Sequence, residues 1–529
     1  MTCPHRNAPA LADIQEILSD ARARGVTLWV DTQQLRYRAP AGAMTDTLRA
    51  ELSSRKAEII EALQDASPGI ACAPREPVFV RGPQRRTSPI VNYHRNRWAQ
   101  IKSGELGLEF VNSTHAALRF PGQLNISALQ SSIRTLTARH SILNTFVADT
   151  PDDPMFVVNS DRETPLEIID LSGIEASEVV AKKIATERIW KPFDAGAESQ
   201  LRVFAIRLSG TEYVVGFVIN HFIADAWSVR IVIGELLHAY AAFEAGVEPS
   251  LPELPIQYFD YVAGINEWIR SGAAKSSATY WLEYLRNAPA TQVPPDFHIE
   301  PEAFGALATE HHQLSSSVVA ELRSFSKSAC VSVHASVAAA VIAVFALLSK
   351  ASDIGLVTRV LGRNDPALLG LVGPFFDSIA LRVRVNPHMS FKALATEVQK
   401  NLSQSSSHQN YSYHLVRLAL PDVEASAIAP LLNFIDPHGT GTGGAEHPQQ
   451  TSLRPFELLP RPPIEHSARR YTGFYILVAI DTAGLHCKAE YLSIMYKRET
   501  AVRLTQLICH LLERATNSAS LSLSDLLSS

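Results

Sequence analysis

The sequence predicts an α/β protein whose main body is preceded by a small module of its own. Residues 11–64 read as helix, hairpin and helix. Residues 65–87 hold four prolines, two glycines and four arginines, the composition of a linker. Beyond them strand-like and helix-like segments alternate to the end. At 529 residues, and with roughly one domain per 150 residues as the prior, three or four structural units are expected.

In the first module LADIQEILSDARARG places Leu11, Ile14, Ile17, Leu18 and Ala21 on one helical face, and Gly25 is a natural stop. VTLWVDTQQLRYRAP alternates in two short runs around Asp31 to Gln34, which reads as a β-hairpin. Thr45, three residues before Leu48, opens a closing helix. In the body, 212–220 (EYVVGFVIN) is a strand by its β-branched content, and 226–246 is an amphipathic helix closed by Gly246. Two Pro-rich stretches interrupt the body. Residues 287–296 suit a crossover between two lobes, and 436–450 suit a long loop.

Composition narrows the function. Hydrophobic residues make up 46% and charged residues 19%, which excludes global disorder. The net charge is −5 and no long basic run occurs, so neither nucleic acid nor an anionic membrane is an expected partner. The N-terminus lacks a secretory h-region. The most apolar helical stretch, Ala335 to Leu348, is shorter than the ~20 residues a bilayer requires and reads as a buried helix. Cys3, Cys72, Cys330, Cys487 and Cys509 are scattered without metal-like spacing, so free thiols in a cytoplasmic protein are expected and no metal site is.

The segment that carries chemistry is VINHFIADAWS, 218–228. A strand ends at Asn220, and a helix begins near Asp225, whose carboxylate can cap it. His221 thus sits at a strand terminus four residues before an acid. Taken alone, these residues equally fit a surface histidine beside an N-cap. Gly439 to Gly444 satisfy GxGxxG, but Pro448 follows and no helix opens there, so a loop is the reading. His311, His312 and His334 have no partner pattern for metal and read as surface or helix residues. No GxSxG elbow is present, which argues against a thioesterase.

The 218–228 segment resembles the HHxxxDG motif of nonribosomal peptide synthetase condensation domains, and further segments resemble that family in its own order. Arg139 to Phe146 is similar to RHExLRTxF, and Lys191 to Asp194 to xPFD. Ile256 to Tyr261 is similar to QYxDY, with Tyr280-Trp281 as the following YW. Gly362-Arg363-Asn364 and Gly373 to Ser378 are similar to the GR…GFFVNT segment, His408-Gln409 to HQ, and Glu490-Tyr491 to EY. Residues 25–52 resemble TubC-like β-hairpin docking domains. The resemblance implies a docking domain over 1–64, a linker over 65–87, and two chloramphenicol-acetyltransferase-like lobes over 88–255 and 256–529, arranged as a V-shaped pseudo-dimer with a tunnel at their interface.

The resemblance also implies roles. His221 is the catalytic histidine. Asp225 is structural and pairs with Arg363. Asn220 stands where the family has its first histidine, and Ala226 where it has glycine. Ala226 and Trp227 are expected to line the tunnel. Arg36 and Arg38, alternating on the second hairpin strand, are candidates for an acidic C-terminal tail of an upstream subunit; a solvated face is the alternative. The implied activity is acyl transfer from the phosphopantetheine arm of an upstream carrier protein to a nucleophile. The protein is expected to have no cofactor of its own and to be a monomer. No carrier-like or adenylation-like motif appears, so a stand-alone enzyme that releases the chain onto a free small acceptor is expected, an ester before an amide. An acceptor on a second carrier protein, a coenzyme-A-dependent acyltransferase, and a silent domain that recruits a tailoring enzyme are the alternatives.

Overall fold

The computed structural model describes residues 17, 21, 26–31, 34–38, 44–56, 58–59, 77, 86–87 and 113–527, the last range with breaks at 149–154, 159–162, 194–198, 301–302, 420–429, 437–452, 460–464, 468–472 and 519. The chain forms two compact units, Met1–Arg75 with Asp436–Glu446, and Glu76–Ile435 with His447–Ser529.

In the first unit, β1 (Thr27–Asp31) and β2 (Gln34–Arg38) pair antiparallel, with Leu28 opposite Tyr37 and Val30 opposite Leu35. The hairpin falls where the alternation placed it. Helix α1 (Asp46–Ser54) opens at Thr45, whose side chain accepts from the Leu48 N–H at 3.2 Å. Ala21, Val26, Leu48, Leu52 and Ile59 form the buried core. Arg36 and Arg38 lie opposite Trp29 and Thr27 in the ladder, while their side chains lie outside the described residues. So do most of the first expected helix, most of the 65–87 linker and the GxGxxG run.

The second unit opens with β3 (Arg86–Thr87) and β4 (Ser113–Pro121), then α2 (Ile126–Arg139), β5 (Thr145–Ala148), β6 (Met155–Val158), β7 (Leu166–Asp170), α3 (Ser177–Trp190), β8 (Leu201–Ser209), β9 (Glu212–Asn220) and α4 (Ala226–Glu244). Helices α5 (Tyr258–Arg270) and α6 (Lys275–Tyr284) lead to β10 (Phe304–Ser315), α7 (Ser316–Ser328), α8 (Val333–Ser349), β11 (Asp353–Val360), β12 (Asp377–Arg384), α9 (Phe391–Ser406), α10 (Tyr413–Ala419) and β13 (Leu431–Ile435). The chain ends with β14 (Arg454–Pro455), β15 (Glu465–Ser467), β16 (Tyr475–Asp481), β17 (Gly484–Leu492), α11 (Arg498–Ser518) and α12 (Leu523–Leu527).

Two large sheets result. One has the order β14-β4-β9-β8-β7 and the other β12-β11-β13-β16-β17-β10-β15. A small sheet, β3-β6-β5, accompanies the first. The second sheet packs on α8, where Ala335 to Phe345 is an unbroken buried run, as its uniform apolarity predicts. Among the described residues no single helix is long and apolar enough to cross a membrane.

Packing crosses between the two sheets in both directions. Helix α5 and the loop residues Leu368, Leu371, Val372 and Phe375, which join β11 to β12, lie in the core beneath the first sheet. Conversely β14, late in the chain, extends the first sheet beside β4, and the Phe456 N–H donates to the Ala117 carbonyl at 2.8 Å.

Candidate active site

The site begins where β9 stops. Its last seven residues are buried, and Asn220 ends the strand fully enclosed. The Asn220 Nδ2 donates to Gln200 Oε1 at 2.6 Å, and its Oδ1 accepts from the Phe222 N–H at 3.0 Å. Both ends of the amide are therefore used to fold the turn that carries His221. The His221 Nδ1 faces the Ala224 carbonyl at 2.7 Å. A carbonyl only accepts, so Nδ1 carries the proton and Nε2 is the basic nitrogen. Burial pulls the imidazole below its ordinary pKa. The Ala224 bond and the Asp225 charge oppose that shift, and the Arg359 charge adds to it. The residue itself is half-buried. The ring of Phe376 lies 5.0 Å from that of His221, and the Arg359 guanidinium stands 5.3 Å from the centre of the Phe376 ring.

Asp225 caps α4: its Oδ1 accepts from the Ser228 N–H at 2.8 Å and from the Ser228 hydroxyl at 2.7 Å. Its Oδ2 accepts from the Phe375 N–H at 3.1 Å. The Arg363 Nη2 donates to Asp225 Oδ1 at 3.1 Å, to Ser228 Oγ at 3.0 Å and to the Gly373 carbonyl. The Arg363 Nη1 donates to the carbonyls of Leu368 and Leu371 at 2.6 and 2.7 Å. The guanidinium also lies 4.1 Å from the Phe375 ring centre. Burial pulls the Arg363 pKa down, and the Asp225 carboxylate opposes it. Among the described residues the Arg363 Nε has no partner, but both Nη groups and both carboxylate oxygens are bonded; such a buried charge pair is a stable arrangement, and either member alone is not.

Two glycines make this approach possible. Gly362 has φ +70°, and a Cβ there would come 1.8 Å from the Phe375 carbonyl oxygen. A Cβ at Gly373 would come 2.2 Å from the ring of Tyr258. Tyr258 meets the Phe375 ring edge-on and Tyr261 meets it at a tilt, with ring centres at 5.2 and 4.8 Å.

The structure thus brings together Asn220, His221, Asp225 and Arg363 as the motifs implied. Ala226 is exposed in the first turn of α4. The Trp227 indole N–H donates to the Leu369 carbonyl at 2.9 Å and tethers the loop between β11 and β12. Sequence reasoning missed Ser228, Gln200, Phe376 and Arg359. The three-residue spacing from Asp225 could have flagged Ser228 as a capping partner; Gln200, twenty residues away, carried no local signal.

The other matched segments are supports. The Gln257 N–H donates to Asp260 Oδ2 at 2.8 Å, and Gln257 Nε2 donates to the Arg139 carbonyl at 3.1 Å. His140 Nε2 and Arg139 Nε meet Glu235 at 2.8 and 3.1 Å. Burial opposes ionisation of Glu235, but these partners outweigh it and hold the carboxyl below its usual pKa. Tyr280 stacks on His408 at 4.0 Å, and the Trp281 N–H donates to the His408 carbonyl.

Fold and site together define a chloramphenicol-acetyltransferase-like protein of two lobes. The condensation domain family matches residues 110–529, and the TubC N-terminal docking domain matches residues 14–65. The chain belongs to the condensation domain family and carries a TubC-like docking domain at its N-terminal end. It is 29% identical over 331 residues to phosphinothricin tripeptide synthetase PhsB of Streptomyces viridochromogenes, a match that covers 61% of this chain and 27% of that relative's length. Among solved structures it is similar to the X-domain from teicoplanin biosynthesis, at TM-score 0.69 and 19% identity over 84% of this chain and 98% of the other. The same X-domain in complex with OxyB gives TM-score 0.68 at 19% identity, over 87% and 99%. A solved structure concerned with condensation domain-mediated chain release from the enacyloxin polyketide synthase gives TM-score 0.63 at 19% identity, over 98% of each chain.

Proposed function

We propose that this chain is an acyltransferase that moves an acyl group from the phosphopantetheine thioester of an upstream carrier protein to a free small acceptor, forming an ester in preference to an amide. The observation that carries the reading is the His221 tautomer: the Ala224 carbonyl holds the proton on Nδ1 and makes Nε2 the base. As the acceptor oxygen attacks the thioester carbonyl, Nε2 takes its proton. When the tetrahedral intermediate collapses, the carbon–sulfur bond breaks and the proton passes from Nε2 to the leaving thiolate. A hydroxyl is barely ionised at pH 7 and gains more from such a base than a neutral amine does. Asp225 and Arg363 act by holding the turn and the loop between β11 and β12. Residues 1–64 form the docking domain, with Arg36 and Arg38 as the candidates for pairing with an acidic tail of the upstream subunit. Lobes of 88–255 and 256–529 follow, in a monomeric cytoplasmic protein with no cofactor of its own.

The test is intact-mass spectrometry of an acyl-loaded carrier bearing its own C-terminal tail, incubated with the chain and a panel of alcohols and amines. Acceptor-dependent loss of the acyl group with wild type and not with His221→Ala is expected. A second reading, recruitment of a tailoring enzyme by a silent domain, draws on Asn220 in place of histidine and on the likeness to an X-domain solved with OxyB. Unchanged turnover in His221→Ala would remove His221 from the base role, and no turnover in wild type while the tail still binds would move the weight to recruitment.

A further inference from the structure

Strands β10 and β17 turn one face to helices α7 and α11, where Leu314, Leu485, Cys487 and Ala489 lie in the buried core. Their register sets His311 opposite Lys488, His312 opposite Cys487 and Gln313 opposite His486. Alternation therefore puts His311, Gln313, His486 and Lys488 on the other face. There His311, Gln313 and Lys488 are exposed and His486 is half-buried. His311 and His486 are diagonal neighbours across the two strands. Nothing near His311 in sequence marks a partner; the strand register supplies one 175 residues away.

The two imidazoles meet through nitrogen, with His311 Nε2 3.2 Å from His486 Nδ1. The other nitrogen of His486, Nε2, lies 3.1 Å from Asp481 Oδ1. That oxygen also accepts from the Ala483 and Gly484 N–H groups, at 2.8 and 3.2 Å, in the turn between β16 and β17. The Ala483 bond and then the His486 bond hold the carboxyl below its ordinary pKa, so Asp481 is charged at neutral pH. A carboxylate only accepts. His486 thus carries its proton on Nε2 and its lone pair on Nδ1, and His311 Nε2 donates to it. Partial burial and the Lys488 charge pull the His311 pKa below its ordinary value, which keeps that ring neutral too.

A histidine whose second ring nitrogen donates to a carboxylate is the usual form of a metal ligand. Two nitrogens bound to one tetrahedral ion at 2.0–2.1 Å stand about 3.3 Å apart. The exposed His311 ring has to turn about its side-chain bonds and pass its proton through solvent from Nε2 to Nδ1. Both lone pairs then converge on one ion, and no net proton is released. We propose that His311 and His486 form a surface site for a divalent transition-metal ion of the zinc and copper type, with Asp481 orienting His486. Imidazole ligands select such ions over magnesium and calcium. Among the described residues no group of three His, Cys, Asp or Glu side chains is placed to hold a metal. Two positions of a tetrahedral shell are therefore left to solvent. The site uses none of the residues assigned to acyl transfer, so it stands or falls independently of that reading.

The test is calorimetric titration of the untagged full chain with zinc at neutral pH, beside His311→Ala, His486→Ala and Asp481→Asn. Wild type is expected to take up one zinc equivalent more than either histidine variant, and magnesium to show no such difference. Asp481→Asn is expected to weaken binding roughly tenfold or more. Melting temperatures in the presence of a chelator, expected to match wild type because the side chains lie on the exposed face, separate a lost site from a lost fold. Equal uptake in wild type and both histidine variants, or a loss in only one of them, would overturn the two-histidine site. Unchanged affinity in Asp481→Asn would overturn the part assigned to Asp481.

Discussion

At the scale of single residues, Asp225 and Arg363 illustrate why a buried ion pair is best judged by what remains when half of it is removed. Replacing Arg363 by Met leaves a carboxylate enclosed among Ser228 and Phe375, and about 3–5 kcal/mol of stability should be lost by urea denaturation. The double variant Asp225→Leu with Arg363→Met should lose less than the sum of the singles. Additive losses would show that the two side chains act independently. The depressed pKa of His221 fixes the sign of a second expectation. The base must be neutral, so activity is retained as pH falls through the ordinary histidine value near 6.5 and fails only below it. An acid limb of kcat/KM centred above 6.5 would contradict a buried, neutral base.

At the scale of elements, the backbone turn at Gly362 decides where Arg363 points. Gly362→Ala places a Cβ against the Phe375 carbonyl at positive φ, and should cost at least about 1–3 kcal/mol in thermal or urea unfolding. Activity should fall more steeply than stability, because the loop that carries Phe375 and Phe376 moves with it. The elements that were legible in the sequence share a local cause. β9 spans the residues that its β-branched run marked, α4 starts at the Asp225 cap and stops before Gly246, and the hairpin turns between Asp31 and Gln34. Motif likeness extended this to Arg363, 138 residues from Asp225. The Gln200–Asn220 bond, the His221–Phe376 ring contact and the His334–Thr358 pair had no such signal. Each depends on which strands lie side by side, and a register set by long-range pairing leaves no periodic trace in a single strand. His334 reads as a surface or helix residue because nothing near it in sequence marks Thr358 and Phe434 as neighbours.

At the scale of the whole molecule, titration and chain order become visible. The His334 imidazole has an ordinary value of 6.5 and a folded value of about 4, so between them the unfolded chain holds the extra proton. Stability is therefore lost as pH falls through that window, by about 3 kcal/mol at its lower end for this one group. Asp377 has the opposite sign: burial raises it from 3.8 to about 6, so its contribution weakens as pH rises across that range. Melting temperatures from pH 7.5 to 5 should fall less steeply in His334→Phe than in wild type, and parallel curves would refute the assignment. Strand β14 has a different consequence. It pairs with Leu118 and Arg119 on the outer edge of β4, yet it lies 235 residues after Asn220, where the last long strand of that sheet ends. At 5–20 residues per second, a ribosome takes roughly 10–50 s to deliver it. Throughout that interval the nascent first lobe presents an uncovered strand edge, a template for pairing with other chains. The newborn polypeptide thus has a period of aggregation risk that lessens when its late-made partner strand emerges.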